Sequence, residues 1–177
     1  RHARGEEKKQ SRRDRTPGFG AWLASVISLG VAVLALGAIV TVGYFDLTEA
    51  KAGLYNSYQS SVYQLSELMD NLDTNLSKAR VATGNYEMQK ILTDVLVESE
   101  LAEACLQSFP VDAHDTENLT SYVNRVADYS KKLLNKLAMG QELTEEEEAV
   151  IEYMYETTDK IKNAVDELVR ESNGKNL

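Results

Sequence analysis

Glu145, Glu146, Glu147 and Glu148 form an unbroken carboxylate run inside LTEEEEAV (residues 143–150). Carboxylates suit two kinds of chemistry, a hard-cation site built on oxygen ligands and a general acid–base pair. Both need oxygens that converge on one point. Four adjacent residues of a helix, at roughly 3.6 residues per turn, instead radiate around its axis. The other acids are scattered, so no second cluster completes a cage. Thr144 stands where an N-cap should be, Glu147 follows three residues later as its capping-box partner, and an apolar rhythm begins at Val150. Negative charge in a first turn is favoured by the helix dipole by about 0.3–1 kcal/mol per well-placed residue. The run reads as the start of a helix.

Other chemistry-bearing residues are few. The two histidines, His2 and His114, lie far apart in sequence, and with one cysteine there is neither a zinc ligand set nor an internal disulfide. Neither GxSxG, HExxH, a Walker loop nor GxGxxG occurs. His114 between Asp112 and Asp115 could handle a proton, but a loop histidine among acids reads as exposed. Cys105 falls on an apolar stripe and reads as a small buried hydrophobe. No catalytic residue, metal or cofactor is expected.

Beyond residue 46, glycine and proline fall where helices should end: Gly84, Pro110, Gly140 and Gly174 cut the chain into four segments, with Gly53 an exception near the start. Each segment carries apolar residues at alternating steps of three and four. In the first these are Tyr55, Tyr58, Val62, Leu65, Met69, Leu72, Leu76 and Ala79; in the second Met88, Leu92, Val95, Ser99, Ala102, Leu106 and Phe109, widened by Ile91, Leu96 and Cys105. The third has Leu119, Tyr122, Val126, Tyr129, Leu133 and Leu137, and the fourth Val150, Met154, Thr157, Ile161, Ala164 and Leu168. That alternation is the seam of helices crossing at small angles, and no segment shows the period of two that a strand requires. The fold class is all-α, an antiparallel bundle of about four helices over 46–174. The loop FPVDAHDTENL should end the second helix at Pro110 and cap the third at Asp115 or Thr116. Glu156 with Lys160, and Asp166 with Arg170, have the spacing of supporting ion pairs along the fourth helix.

Ahead of the bundle, residues 19–45 (FGAWLASVISLGVAVLALGAIVTVGYF) carry no charge at all. As a helix this stretch would reach roughly 40 Å, enough to cross a hydrocarbon core of about 30 Å with some tilt. It is longer than the apolar part of a cleaved signal peptide, so it reads as a transmembrane signal anchor with Trp22 near one interface and Tyr44 and Phe45 near the other. Residues 1–18 hold seven basic against three acidic residues, a net of +4; the remaining 12 basic and 25 acidic residues give −13, which recovers the total of −9. Positive flanks stay inside, so the expected topology is a cytoplasmic basic arm, one span, and an extracytoplasmic bundle. The bilayer is thus one expected partner, and nucleic acid is disfavoured because an acidic surface repels phosphate. Gly30, Gly37 and the small residues Ala21, Ser25 and Ser28 could pack spans into a homo-oligomer.

Nine tyrosines are many for a small domain. Tyr55, Tyr58, Tyr122 and Tyr129 fall on the seams and read as core. Tyr63, Tyr86, Tyr153 and Tyr155 fall beside them, and exposed aromatics are what interfaces use, so these four are the candidate partner contacts.

Several stretches together resemble the N-terminal region of the YpeB family of spore germination proteins. NSYQSSVYQLSELMDNLDTNLSKA (56–79) looks like its Tyr-Gln helix, YVNRVADYSKKLLNK (122–136) is similar to its Asp-Tyr-Ser helix, and LTEEEEAVIEYMYETTDKIKNAVDEL (143–168) to its Leu-Thr-x-Glu-Glu helix. The resemblance implies a non-enzymatic protein of the spore inner membrane, facing the cortex, that accompanies the cortex-lytic enzyme SleB in breaking down cortex peptidoglycan. The family continues into C-terminal PepSY domains, whereas these residues stop at Leu177, so any function residing there is not carried over. Rival readings are a sensory or scaffold module that binds a ligand or another envelope protein, and a wall enzyme, which would need an acid pair in a cleft.

Overall fold

The computed structural model describes residues 49–174, with side chains from Gly53 onward. The anticipated span at 19–45 and the basic arm at 1–18 lie outside the described residues; among those described, no helix is long and apolar enough to cross a membrane. Four helices make up the described chain: α1 (Glu49–Ala79), α2 (Asn85–Gln107), α3 (Ala113–Ala138) and α4 (Glu145–Gly174). There are no strands among them.

Each break has a local cause. At the end of α3, Gly140 takes φ +76°, its N–H donates to the Leu137 carbonyl and the N–H of Gln141 donates to that of Lys136 at 3.2 Å. This is a Schellman stop, and the left-handed conformation it needs costs L side chains about 1–2 kcal/mol. Helix α3 begins at Ala113, earlier than anticipated, because Asp112 rather than Asp115 or Thr116 is the cap: its carboxylate accepts from the N–H of His114 at 3.0 Å. Thr116 is buried instead.

The glutamate run behaves as a helix start. The N–H of Thr144 donates to Glu147 Oε2 at 2.9 Å, and the N–H of Glu147 donates to Thr144 Oγ1 at 3.2 Å, closing the reciprocal capping box. Glu147 is itself buried, and Lys136 Nζ from the last turn of α3 donates to it at 2.6 Å. One carboxylate therefore satisfies a helix start, complements a helix end and ties α3 to α4.

The helices pack antiparallel, each beside the next, with α4 returning against α1. Close backbone packing joins α2 to α3, α1 to α2 and α1 to α4. Along α1 and α4, Tyr55 OH donates to the Ser172 carbonyl at 3.1 Å, Ser66 Oγ to Asp166 at 2.8 Å, Lys162 pairs with Asp70 at 3.3 Å and Arg80 with Glu152 at 2.5 Å. Asp166, anticipated as a partner for Arg170, thus accepts from the neighbouring helix. Between α2 and α3, Lys131 pairs with Glu100 at 3.0 Å and Asn124 donates to Glu103 at 3.2 Å. The looser seam of α3 and α4 is closed by Tyr122, whose hydroxyl donates to the Met154 carbonyl and meets Thr158 Oγ1, each at 2.9 Å.

The anticipated seams of the first three helices form the core. Tyr58, Val62, Leu65, Met69, Leu72, Leu76 and Ala79 are buried, with Tyr55 half-buried; so are the anticipated positions of α2 from Met88 to Leu106, and Phe109 just beyond it, with only the flanking Leu96 half-buried. Ser99 escapes the penalty of a buried hydroxyl by donating to the Val95 carbonyl at 2.7 Å. In α3 the set holds except for half-buried Tyr129. In α4 the expected Met154, Thr157 and Ile161 are buried, but Val150, Ala164 and Leu168 are half-buried, and the stripe also takes in Glu147, Ile151, Thr158 and Val165.

Two carboxylates sit uncomfortably beside α1. Asp73 Oδ1 is buried with no hydrogen-bond partner among the described residues, and burial, then Asp159, push its carboxyl above the usual range, while Lys162 and Arg80 pull the other way. Glu98, donated to by Asn71, is likewise raised by burial and by Asp94 and Glu67. An acid raised in the folded state binds its proton more tightly there than when unfolded, so its ionised form destabilises at neutral pH. Asp73→Asn should raise the melting temperature at pH 7, and this gain should vanish on acidification below the ordinary aspartate range, where both states of the parent are protonated. Glu147 has the opposite sign: burial raises it, but Lys136, the Thr144 N–H and Lys132 outweigh burial and lower it overall. Its contribution is present above the unfolded glutamate value and lost as pH falls through the folded one. Glu147→Ala should cost about 1–3 kcal/mol in urea denaturation at pH 7, and the difference from the parent should narrow in acid.

Candidate functional site

The residues that could do chemistry are kept apart. Among the described residues no group of three or more His, Cys, Asp and Glu is placed to hold a metal ion. Of the four glutamates, Glu147 is committed to the cap, and Glu145, Glu146 and Glu148 are exposed. His114 lies in the first turn of α3 and not in the loop; its ring approaches Glu117 at 3.2 Å, with both side chains largely in solvent. Asp112, its anticipated partner, is used by the helix cap. Cys105 is buried, its Sγ 3.6 Å from the Ser61 carbonyl, and burial pushes its thiol up to about 11. A thiol so raised is not a nucleophile at neutral pH.

An open groove of about 710 Å³ lies where α2 turns into α3. Leu106, Phe109 and Val111 give it apolar walls, and Arg125, Asp128 and Glu117 also line it. Its charged groups are of both signs, so it offers mixed binding space.

The four off-seam tyrosines differ from one another. Tyr86, at the start of α2, is 84% exposed. Tyr63 is exposed near the opposite end of the bundle, and its hydroxyl donates to Asn173. Tyr155 is half-buried with the Arg80 guanidinium 4.1 Å over its ring, held there by the ion pair with Glu152. Tyr153 is half-buried. The structure therefore does not bring the four together: Tyr86 lies at the end formed by the α1–α2 and α3–α4 turns, Tyr155 and Tyr153 lie two to three turns into α4, and Tyr63 lies toward the opposite end. Two exposed apolar residues of those turns, Val81 (77%) and Met139 (75%), escape a reading confined to aromatics. Their only signal in sequence is a large apolar side chain close to a glycine at a helix boundary, Gly84 or Gly140.

Residues 47–177, about three quarters of the chain and all four helices, match the family described as YpeB N-terminal. No curated protein and no solved structure matches the chain. The extent of that match, over helices that the structure places in one bundle, means that the chain belongs to the YpeB N-terminal family.

Proposed function

We propose that this chain is a non-enzymatic, membrane-anchored germination protein that assembles with the cortex-lytic enzyme SleB and keeps it in place for cortex peptidoglycan breakdown. The observation that carries the reading is the family match across the whole bundle. Membership of this family fits a germination-related function, and the family is not a known enzyme family. Two further features support it. The uncharged run at 19–45, flanked by a basic arm, suits an anchor with the bundle outside. The bundle itself spends its apolar seams on packing and presents helical faces, which suits holding a partner. Tyr63, Tyr86, Tyr153 and Tyr155 are the aromatic contacts available to it.

The groove at the α2–α3 corner favours a second reading, an extracytoplasmic module that binds a small ligand. The two readings differ in what a partner-depletion experiment shows. In spores lacking this chain, SleB should fall to a small fraction of its normal level, and pull-down of the full chain from spore membranes should recover SleB. Normal SleB levels together with an empty pull-down would remove the first reading and leave the second.

A further inference from the structure

The bundle has two ends of different character. One carries Glu49, the α2–α3 turn and Gly174; the other carries the α1–α2 turn (80–84) and the α3–α4 turn (139–144). The three most exposed large apolar side chains among the described residues, Tyr86, Val81 and Met139, all belong to the second end. The two turns are neighbours there, since Asn85 Nδ2 donates to the Leu137 carbonyl at 3.5 Å. Isolated surface hydrophobes need no explanation, but three at one tip make an apolar patch of the kind that marks an interaction site. None has a role in the packing of the fold. Val81 and Met139 lie in turns, where polar residues would serve equally well.

Charge identifies the class of partner. Around the patch Glu87, Glu142, Glu145, Glu146 and Glu148 are all exposed, against Lys78, Lys90 and Lys132, while Arg80 is committed to Glu152 and Lys136 to Glu147. Of the four consecutive glutamates only Glu147 makes the hydrogen bonds of the cap, and Glu145, Glu146 and Glu148 present their charge to solvent. An apolar centre with an acidic rim complements a basic protein surface with an apolar centre. It repels anionic lipid headgroups, nucleic acid phosphates and a second copy of itself. With α1 spanning 31 residues, the tip stands roughly 45 Å from the start of the bundle.

We propose that the tip formed by Val81, Tyr86 and Met139, ringed by Glu87, Glu142, Glu145, Glu146 and Glu148, is the docking surface for a protein partner that presents lysine and arginine around an apolar contact. The inference rests on reading the chain as the holder of a partner, and it names where and by what chemistry the partner is held. It also sets Tyr63, at the other end, outside the contact.

Photo-cross-linking of the full chain in the cells that produce it tests this. A benzophenone amino acid is placed singly at Tyr86, Met139, Val97 or Leu101, the last two being exposed apolar positions midway along α2. Positions 86 and 139 should give an adduct with one protein at a lysine- and arginine-rich segment, and positions 97 and 101 should not. Combining Glu142→Gln, Glu145→Gln and Glu146→Gln should lower the adduct yield roughly tenfold with only a small fall in the melting temperature from the lost first-turn charges, because the rim steers a charged partner. If the adduct is SleB, the proposed function and the tip both stand; if it is another basic protein, the tip stands and the SleB assignment falls. No protein adduct at 86 and 139, an adduct between two copies, equal yields at 97 and 101, or indifference to the charge change would each overturn the proposal.

Discussion

The structure depends on burying the apolar stripe of α1, which runs from Tyr58 to Ala79 and has α2 on one side and α4 on the other. A 31-residue helix would not hold its length in water through propensity alone; amphipathic burial is what fixes it. Met69, Leu72 and Leu76 are fully enclosed, and each such side chain is worth about 1.5–3 kcal/mol relative to exposure. Helices α2 and α4 are held in register against this stripe, and α3 closes the ring by packing on α2. The remaining gap, between α3 and α4, is filled less by backbone approach than by Tyr122 and the Lys136–Glu147 pair.

Much of this was legible in sequence because helix boundaries and seams are local properties. Gly140 stops α3 by a backbone conformation that glycine adopts freely, and Thr144 with Glu147 starts α4 by bonds that span three residues. In the fourth seam Met154, Thr157 and Ile161 are buried as the spacing predicts, and Val150, Ala164 and Leu168 give way to neighbours for a physical reason. Val150–Ile151, Ala164–Val165 and Leu168–Val169 are adjacent apolar pairs, so a count by threes and fours fits two neighbouring phases equally well. What selects between them is Glu147 turning inward to meet Lys136, and a glutamate read from sequence is assigned to solvent. Similarly, Asp112 takes the cap of α3 because the chain after Pro110 already enters the extended conformation there, which the richer candidates Asp115 and Thr116 concealed.

The candidate contacts were less legible. Period and spacing say whether a helical residue lies on or off a seam, but they do not say which of two ends a turn occupies, nor which neighbour folds over a ring. Tyr155 reads as an exposed aromatic until Arg80, seventy-five positions earlier, is laid across it by the return of α4 onto α1. Val81 and Met139 have no periodicity to violate. Their prominence follows from two turns meeting, which only the packed bundle determines.

An even number of antiparallel helices also has a topological consequence. The Tyr55–Ser172 hydrogen bond fastens the first turns of α1 to the last turn of α4, so the described helices begin and end at one pole. The opposite pole is made of the α1–α2 and α3–α4 turns alone among the described residues, and a large body meets there two short reversals of the backbone and no helix flank.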